Sequence, residues 1–295
     1  MRSTAVVGLG AMGMPIAHRL LDAGVPLTVH DSRAEPMEVM SAAGATTATR
    51  LSDCRAVDVA LIVVANADQV REVLLGEHGL ASADISAGDS APRIVVVMST
   101  IGRQAILDVQ RQVEARGIKV VDAPISGGAS HANRGSLSIL AAGDYTAMES
   151  VRPQLELLGH VFSCGPVGNA QLIKVANNVI GNLSTLAVAE VGRLLRGYGI
   201  DMAVANQVFE ASSGRNWLSS DPAMAQEQYA RLSVTRGVFD ATTAIVRKDA
   251  QLALDIATES GGDYPLIEAL VTLTRAVGDE TYQNWSAAGV ASLQL

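Results

Sequence analysis

Short runs of consecutive apolar residues alternate with amphipathic windows through the first half of the chain. Thr4–Val7, Leu27–His30, Val59–Val64, Ile94–Met98, Lys119–Asp122, Leu137–Leu140 and Val161–Ser163 each read as a strand. The stretches between them carry helical spacing, as where Ile16, Leu20 and Leu21 precede Gly24. Continuous apolar strands separated by helices predict a largely parallel sheet covered on both faces. Ala81–Pro92, rich in Ser, Ala, Asp and Gly, reads as a surface loop. From Asn169 onward the pattern becomes helical alone. A window from about Asn169 to Tyr198 places Leu172, Val175, Ala176, Val179, Leu183, Leu186, Val188 and Leu194 at spacings of three and four, and further windows follow at Met202–Ser212, Thr242–Ser260 and Pro265–Val277. The pattern predicts an α/β domain over residues 1–164 and an all-α domain over 165–295, joined by the long helix.

The first strand runs without a break into Gly8, Leu9, Gly10, Ala11, Met12 and Gly13, three glycines at G-x-G-x-x-G spacing. Strand, tight turn and helix N-terminus in that order form the fingerprint of a Rossmann dinucleotide-binding domain. Gly8 makes the turn, Gly10 lets a pyrophosphate approach the backbone, and Gly13 lets the helix pack on the strand. The second strand ends at Asp31, 18 residues after Gly13. A carboxylate there accepts from both adenosine ribose hydroxyls and repels a 2′-phosphate, which favours NAD. Arg33 could instead pair with that phosphate, so NADP stays possible.

Composition narrows the partners. With 48% hydrophobic and 18% charged residues the chain is a soluble globular protein, and at 295 residues it has room for two domains. A net charge of -8 without a dense Lys/Arg run argues against nucleic acid or anionic membrane. No continuous apolar run approaches the roughly 20 residues that span a bilayer, and Met1 leads almost directly into the first strand, so the expected location is cytoplasmic. Cys54 and Cys164 lie far apart without C-x-x-C spacing and read as free thiols; the five histidines show no metal-ligand spacing, and no metal site is expected.

Two constellations could carry chemistry. Lys174 and Asn178 stand at i and i+4 on the long helix and face the same way. Partial burial and a neighbouring cationic nicotinamide would both favour the neutral amine, making a base available near neutral pH; a solvated surface residue is nonetheless the commoner use of a helix lysine. Asp122-Ala-Pro-Ile-Ser-Gly-Gly128 follows a strand. Its Ser126 hydroxyl and the unobstructed N–H groups of Gly127 and Gly128 suit a carboxylate. Alone, this segment reads equally well as a simple loop.

Together these segments resemble a known family. Gly8–Ala17, Asp122–Gly128, Gly165-Pro-Val-Gly168 with Lys174-Val-Ala-Asn-Asn178, and Lys248-Asp249 occur in the order and spacing of the β-hydroxyacid dehydrogenases, over essentially the whole chain. Ser213-Gly-Arg-Asn-Trp217 is similar to a segment of the 3-hydroxyisobutyrate dehydrogenases within it. The resemblance implies reversible oxidation of the β-hydroxyl of a small 3-hydroxy acid with hydride transfer to NAD. It implies Lys174 as acid/base, Asn178 as substrate-orienting, and Ser126, Gly127 and Gly128 as carboxylate-binding. Thr100 and Lys248 would meet the cofactor, as would Val64 and Ala65, although Val64-Ala-Asn-Ala67 departs from the family's usual Leu-Pro. Met98 stands where the family is often acidic, and His131 and Asn133 follow the Ser-Gly-Gly turn where they could bear on substrate choice. Family members form dimers or tetramers through the helical domain, so a homo-oligomer is implied. An imine reductase and a non-catalytic dinucleotide-binding protein are the alternatives on this fold; Lys174 argues against both. The phosphogluconate dehydrogenases have related motifs on a considerably longer chain.

Overall fold

The structure, a computed structural model, describes residues 1–82, 91–219 and 229–290. Residues 83–90 of the expected Ala81–Pro92 loop lie outside these. The chain forms two compact units, Met1–Lys174 and Val175–Leu295.

In the first unit, β1 (Thr4–Val7), β2 (Leu27–His30), β3 (Thr46–Thr47), β4 (Val59–Ile62), β5 (Ile94–Val97) and β6 (Lys119–Asp122) lie in the order β3-β2-β1-β4-β5-β6, all parallel. That is the dinucleotide-binding arrangement, with its crevice where the order reverses between β1 and β4. Beyond β6 the sheet becomes mixed. β8 (Leu137–Gly143) runs antiparallel to β6 and to β7 (Ile125–Ser126), and β9 (Gly159–Ser163) pairs parallel to β8. β8 extends three residues past the expected Leu140 because it pairs with all three of these neighbours. The two-residue strands β3 and β7 are too short to leave a periodic signal.

Helices α1 (Gly13–Asp22), α2 (Ala34–Ala42), α3 (Ala67–Leu75), α4 (Arg103–Glu114), α5 (Gly128–Arg134) and α6 (Tyr145–Glu156) connect the strands. Alternate residues of the central strands feed opposite cores, as two-sided burial requires. Val6, Leu61, Val96 and Val121 pack with Ile16 and Leu20, whereas Ala5, Ile62, Val95 and Val97 pack with Val70, Ile106 and Val109. Cys54 and Cys164 are both free thiols.

The division between the units falls inside α7 (Asn169–Gly197). The second unit adds α8 (Met202–Ala211), α9 (Arg236–Ser260), α10 (Pro265–Ala276) and α11 (Asp279–Val290). Phe239, Trp285, Tyr229 and Leu218 form one of its cores. Ala250, Leu270 and Val271 form another with Val179, Leu183 and Leu186 of α7. Helix α9 starts at Arg236 rather than Thr242, because the Thr235 hydroxyl accepts from the Val238 N–H at 3.2 Å and caps it there. Helix α11, rich in polar residues, was not expected; Trp285 is its buried anchor.

The expected stripe on α7 is only partly buried. Val175 is buried and Leu172, Val179, Leu183, Leu186 and Val188 are half-buried, whereas Ala176 and Leu194 are exposed. Ile180, Val191 and Tyr198 are exposed too. By length and composition alone this helix could cross a membrane. It is not a continuous apolar run, because Asn177, Asn178, Asn182, Ser184 and Thr185 interrupt it.

Candidate active site

The parallel strands bring the predicted ligand-binding segments to one edge of the sheet. Gly8 follows β1, Val64 follows β4, Thr100 follows β5 and Ser126 follows β6, each at or just past the carboxyl end of its strand. Open α/β sheets bind ligands there.

The glycine turn is shaped by contacts that exclude side chains. Gly8 has φ +96°, and a Cβ on it would lie 2.4 Å from the Val63 carbonyl oxygen. A Cβ on Gly13 would lie 1.8 Å from the Gly8 carbonyl oxygen, whereas one on Gly10 would have nothing within 4 Å. Two of the glycines are therefore demanded by the protein itself, and Gly10 faces open space. No side chain caps α1; in its first turn Pro15 has no N–H and the Met14 N–H donates to the Gly10 carbonyl at 3.0 Å, so the turn offers a phosphate the Gly13 N–H.

Asp31 closes the turn from the side. Its Oδ2 accepts from the Leu9 N–H at 2.7 Å, and its Oδ1 accepts from the Arg33 N–H at 2.9 Å and from Arg33 Nε at 3.0 Å. Burial alone would raise its pKa, but these hydrogen bonds from Arg33 and Leu9 outweigh it and hold the carboxyl at about 2. Arg33 is thus tied to the carboxylate beside it, and also donates to the Leu9 carbonyl at 3.3 Å. An open Gly10, an uncapped helix start and an ionised carboxylate at the end of β2 fit a dinucleotide.

The loops after β4 and β5 are laced together. The Ser99 hydroxyl donates to the Val64 carbonyl at 2.6 Å and accepts from the Val64 N–H at 3.1 Å. The Ala65 N–H donates to Gln69 Oε1 at 2.8 Å. Both N–H groups and the Val64 carbonyl are therefore engaged inside the protein. Past β7, Gly127 and Gly128 adopt φ of +125° and +69°. A Cβ on Gly127 would lie 2.6 Å from Cβ of His131, so His131 shapes this turn by packing on it; Asn133 is exposed.

Asp122 does not present its carboxylate to a ligand. It is fully buried at the end of β6, where Oδ2 accepts from the Gly168 N–H at 3.0 Å and Oδ1 from Gln171 Nε2 at 2.7 Å. This side chain helps dock the Gly165–Gly168 segment and the first turn of α7 on the sheet, beside the Gly143 N–H that donates to the Gly165 carbonyl at 2.9 Å. Lys174, one turn further along α7, is only 7% exposed, which sets it apart from a solvated surface lysine. Burial, partly offset by the hydrogen bonds of Gln171 and Gly168, raises the Asp122 pKa to about 6. The folded protein thus holds this proton more tightly than the unfolded chain. Its contribution favours folding fully below about pH 4 and is lost as pH rises through about 6, a swing of about 3 kcal/mol. Urea unfolding of the wild type and Asp122→Asn across that range should show the wild type losing this advantage. A pH-independent difference would contradict the assignment.

In the helical unit, Asn178 and Lys248 converge on a residue to which sequence reasoning gave no role. Asn178 Nδ2 donates to Asp249 Oδ2 at 2.7 Å, and Lys248 Nζ lies 3.1 Å from Asp249 Oδ1. Asp249 is buried, and it fixes the Asn178 amide with Nδ2 inward. Trp217 of the Ser213–Trp217 segment donates from Nε1 to the Gly181 carbonyl at 3.3 Å, close after Asn178 on α7. Gln171 was also missed. Its only signal is a polar residue one turn before Lys174, and its partners lie about 50 to 70 residues earlier in the chain.

Comparison with known proteins bears on the whole chain. Residues 3–168 match the family model for the NAD binding domain of 6-phosphogluconate dehydrogenase, and residues 168–293 match the model described as NAD-binding of NADP-dependent 3-hydroxyisobutyrate dehydrogenase. The NAD-dependent L-serine dehydrogenase of Pseudomonas aeruginosa is 30% identical over 288 residues, 96% of this chain and 94% of that protein. The chain belongs to the β-hydroxyacid dehydrogenase family. The 3-hydroxyisobutyrate dehydrogenase of the same bacterium is 32% identical over 219 residues, 74% of this chain and 72% of that protein. The solved structure of a Mycobacterium tuberculosis 3-hydroxyisobutyrate dehydrogenase with L-serine shares the fold, with a TM-score of 0.79 at 24% identity over the full length of both chains. This β-hydroxyacid dehydrogenase is accordingly an NAD(P)-dependent oxidoreductase acting on the hydroxyl group of hydroxy acids.

Proposed function

We propose that this enzyme reversibly oxidises the β-hydroxyl of a small 3-hydroxy acid, with Lys174 as the acid/base and NAD as the preferred cofactor. The observation that carries the reading is the burial of Lys174 on the turn of α7 that follows the anchor at Asp122. The dinucleotide-binding domain, taken as residues 1–164, would hold the cofactor through the Gly8–Gly13 turn, Asp31 and Thr100, with Val64 and Ala65 beside them. The helical domain, residues 165–295, would supply Asn178 to orient the substrate and Lys248 to the nicotinamide side. When bound, NAD supplies the hydride acceptor. Neutral Lys174 takes the hydroxyl proton at Nζ as the β-carbon is oxidised, and its ammonium returns that proton in reduction. Ser126 and the N–H groups of Gly127 and Gly128 hold the substrate carboxylate.

The preference for NAD rests on Asp31. Its ionised carboxylate repels a 2′-phosphate, and the salt bridge to Arg33 engages the guanidinium that could offset this. Asp31→Ala should raise the KM for NAD about tenfold and narrow the gap to NADP. Wild-type kinetics that favour NADP would show that Arg33 prevails. The substrate is approached by a screen of NADH formation over 3-hydroxyisobutyrate, L-serine, L-threonate and glycerate, with lactate as a 2-hydroxy control. Oxidation of lactate alone would sink the β-hydroxyl reading.

A cytoplasmic homo-oligomer is part of the same proposal. Ile180, Val191 and Leu194 on α7, Tyr198 just past it, and Val204 and Val208 on α8 are large apolar side chains left exposed, as at a surface that meets another copy. A second copy covering it gives a dimer, and further pairing a tetramer. Sedimentation velocity that returned a monomer would remove this part of the reading.

A further inference from the structure

The side-chain amide of Gln171 is fully buried and uses both ends twice. Its Oε1 accepts from the N–H groups of Ile101 at 2.9 Å and Gly102 at 3.1 Å. Its Nε2 donates to the Ser99 carbonyl at 3.1 Å and to Asp122 Oδ1 at 2.7 Å. Two backbone N–H groups can only donate, and a carbonyl and a carboxylate can only accept. The partners therefore fix one orientation of the amide.

Three of these four partners belong to Ser99–Gly102, the turn that carries Thr100. The fourth, Asp122, also accepts from Gly168, so the start of α7 is held at two points on the same carboxylate. Lys174 follows Gln171 by three residues, less than one turn of helix, and α-helical geometry transmits the position of one to the other. An apolar residue of similar size would leave Ile101, Gly102 and Ser99 with buried backbone groups lacking this partner. A glutamine is the side chain that can both accept from two donors and donate to two acceptors here.

We propose that Gln171 is a positioning residue for hydride transfer, locking the Thr100 turn and the Lys174 turn of α7 into one body so that the base keeps a fixed register to the bound cofactor. This rests on the roles given to Lys174 and Thr100 under the proposed function. It accounts for a buried polar side chain whose four hydrogen bonds go neither to the glycine turn nor to the Ser126 turn. Misplacement of a reacting group by about 1 Å is enough to cost up to 10²-fold in rate, so such a lock acts without contacting substrate.

The test uses Gln171→Glu and the exchange variant Asp122→Asn/Gln171→Glu. The single change sets a carboxylate oxygen against the Ser99 carbonyl and the Asp122 carboxylate. It should lower kcat about tenfold or more, with the acid of the screen that the wild type oxidises fastest, while substrate KM stays near wild type. NADH affinity, read by nicotinamide fluorescence, should weaken with it as the Thr100 turn shifts. The exchange variant restores a donor facing an acceptor across the 2.7 Å contact, though not at the Ser99 carbonyl, and should recover part of both losses. Circular dichroism and active-site counting restrict the comparison to folded molecules. Wild-type kcat and NADH affinity per folded Gln171→Glu molecule overturn the proposal. So does a folded exchange variant that recovers neither, which decides the matter even where the single variant does not fold. Lys174→Ala run alongside separates the two levels. Retained turnover there removes the acid/base assignment together with this proposal, whereas its loss beside an unaffected Gln171→Glu removes this proposal alone.

Discussion

Replacing Lys174 by Ala should lower kcat by about 10²–10⁴-fold, the range typical of a lost general acid or base. NADH affinity should stay close to wild type, because the Gly8–Gly13 turn and Asp31 lie on other elements of the sheet unit. Lys174→Arg sharpens the result. A guanidinium keeps the positive charge but does not deprotonate in the accessible pH range. If Lys174 moves a proton, arginine is nearly as slow as alanine; if it merely supplies charge, arginine recovers much of the rate. An alanine variant with turnover near wild type would leave the buried lysine without a catalytic role.

The second large effect separates two glycines of one motif. Gly10→Ala should leave unfolding unchanged, since the added methyl meets nothing within 4 Å. The same methyl enters the space given to the pyrophosphate and should weaken NADH binding by about 10–100-fold, the equivalent of 1–3 kcal/mol of overpacking. Gly13→Ala should do the reverse in order of cause. Its methyl would stand 1.8 Å from the Gly8 carbonyl oxygen, a backbone atom that moves only if the turn opens. Stability should fall by about 1–3 kcal/mol or more, and cofactor binding with it. Normal NADH binding by Gly10→Ala would place the phosphates elsewhere.

These contrasts show what was legible in the chain and what was not. Strands β1, β2 and β6 stand where apolar runs placed them, because a parallel strand that is wholly buried, as β1 is, or mostly so, as β2 and β6 are, leaves a local pattern. The G-x-G-x-x-G turn was legible for the same reason: its steric demands arise largely within Gly8–Gly13 and the neighbouring strand. Gln171, Asp122 and Asp249 acquire their roles from long-range partners. Gln171 looks like any helix glutamine until Ser99–Gly102 is folded against it, 69 to 72 residues away along the chain. Asp249, next to Lys248, offers no hint that it holds Asn178, 71 residues earlier. Helix α11 stayed hidden because its burial depends chiefly on Trp285, and one aromatic does not make a periodicity.

Transfer of isotope tests the central claim most directly. Wild-type enzyme is mixed with NAD and either L-serine or 3-hydroxyisobutyrate carrying deuterium on the hydroxyl-bearing β-carbon, and the reduced nicotinamide is examined by mass spectrometry. The account predicts deuterium on the nicotinamide, none from acid labelled at the α-carbon, and the same transfer slowed in Lys174→Ala. Reduced cofactor that carries the α-label, or no reduced cofactor from either acid or from the wider 3-hydroxy acid screen, would contradict it.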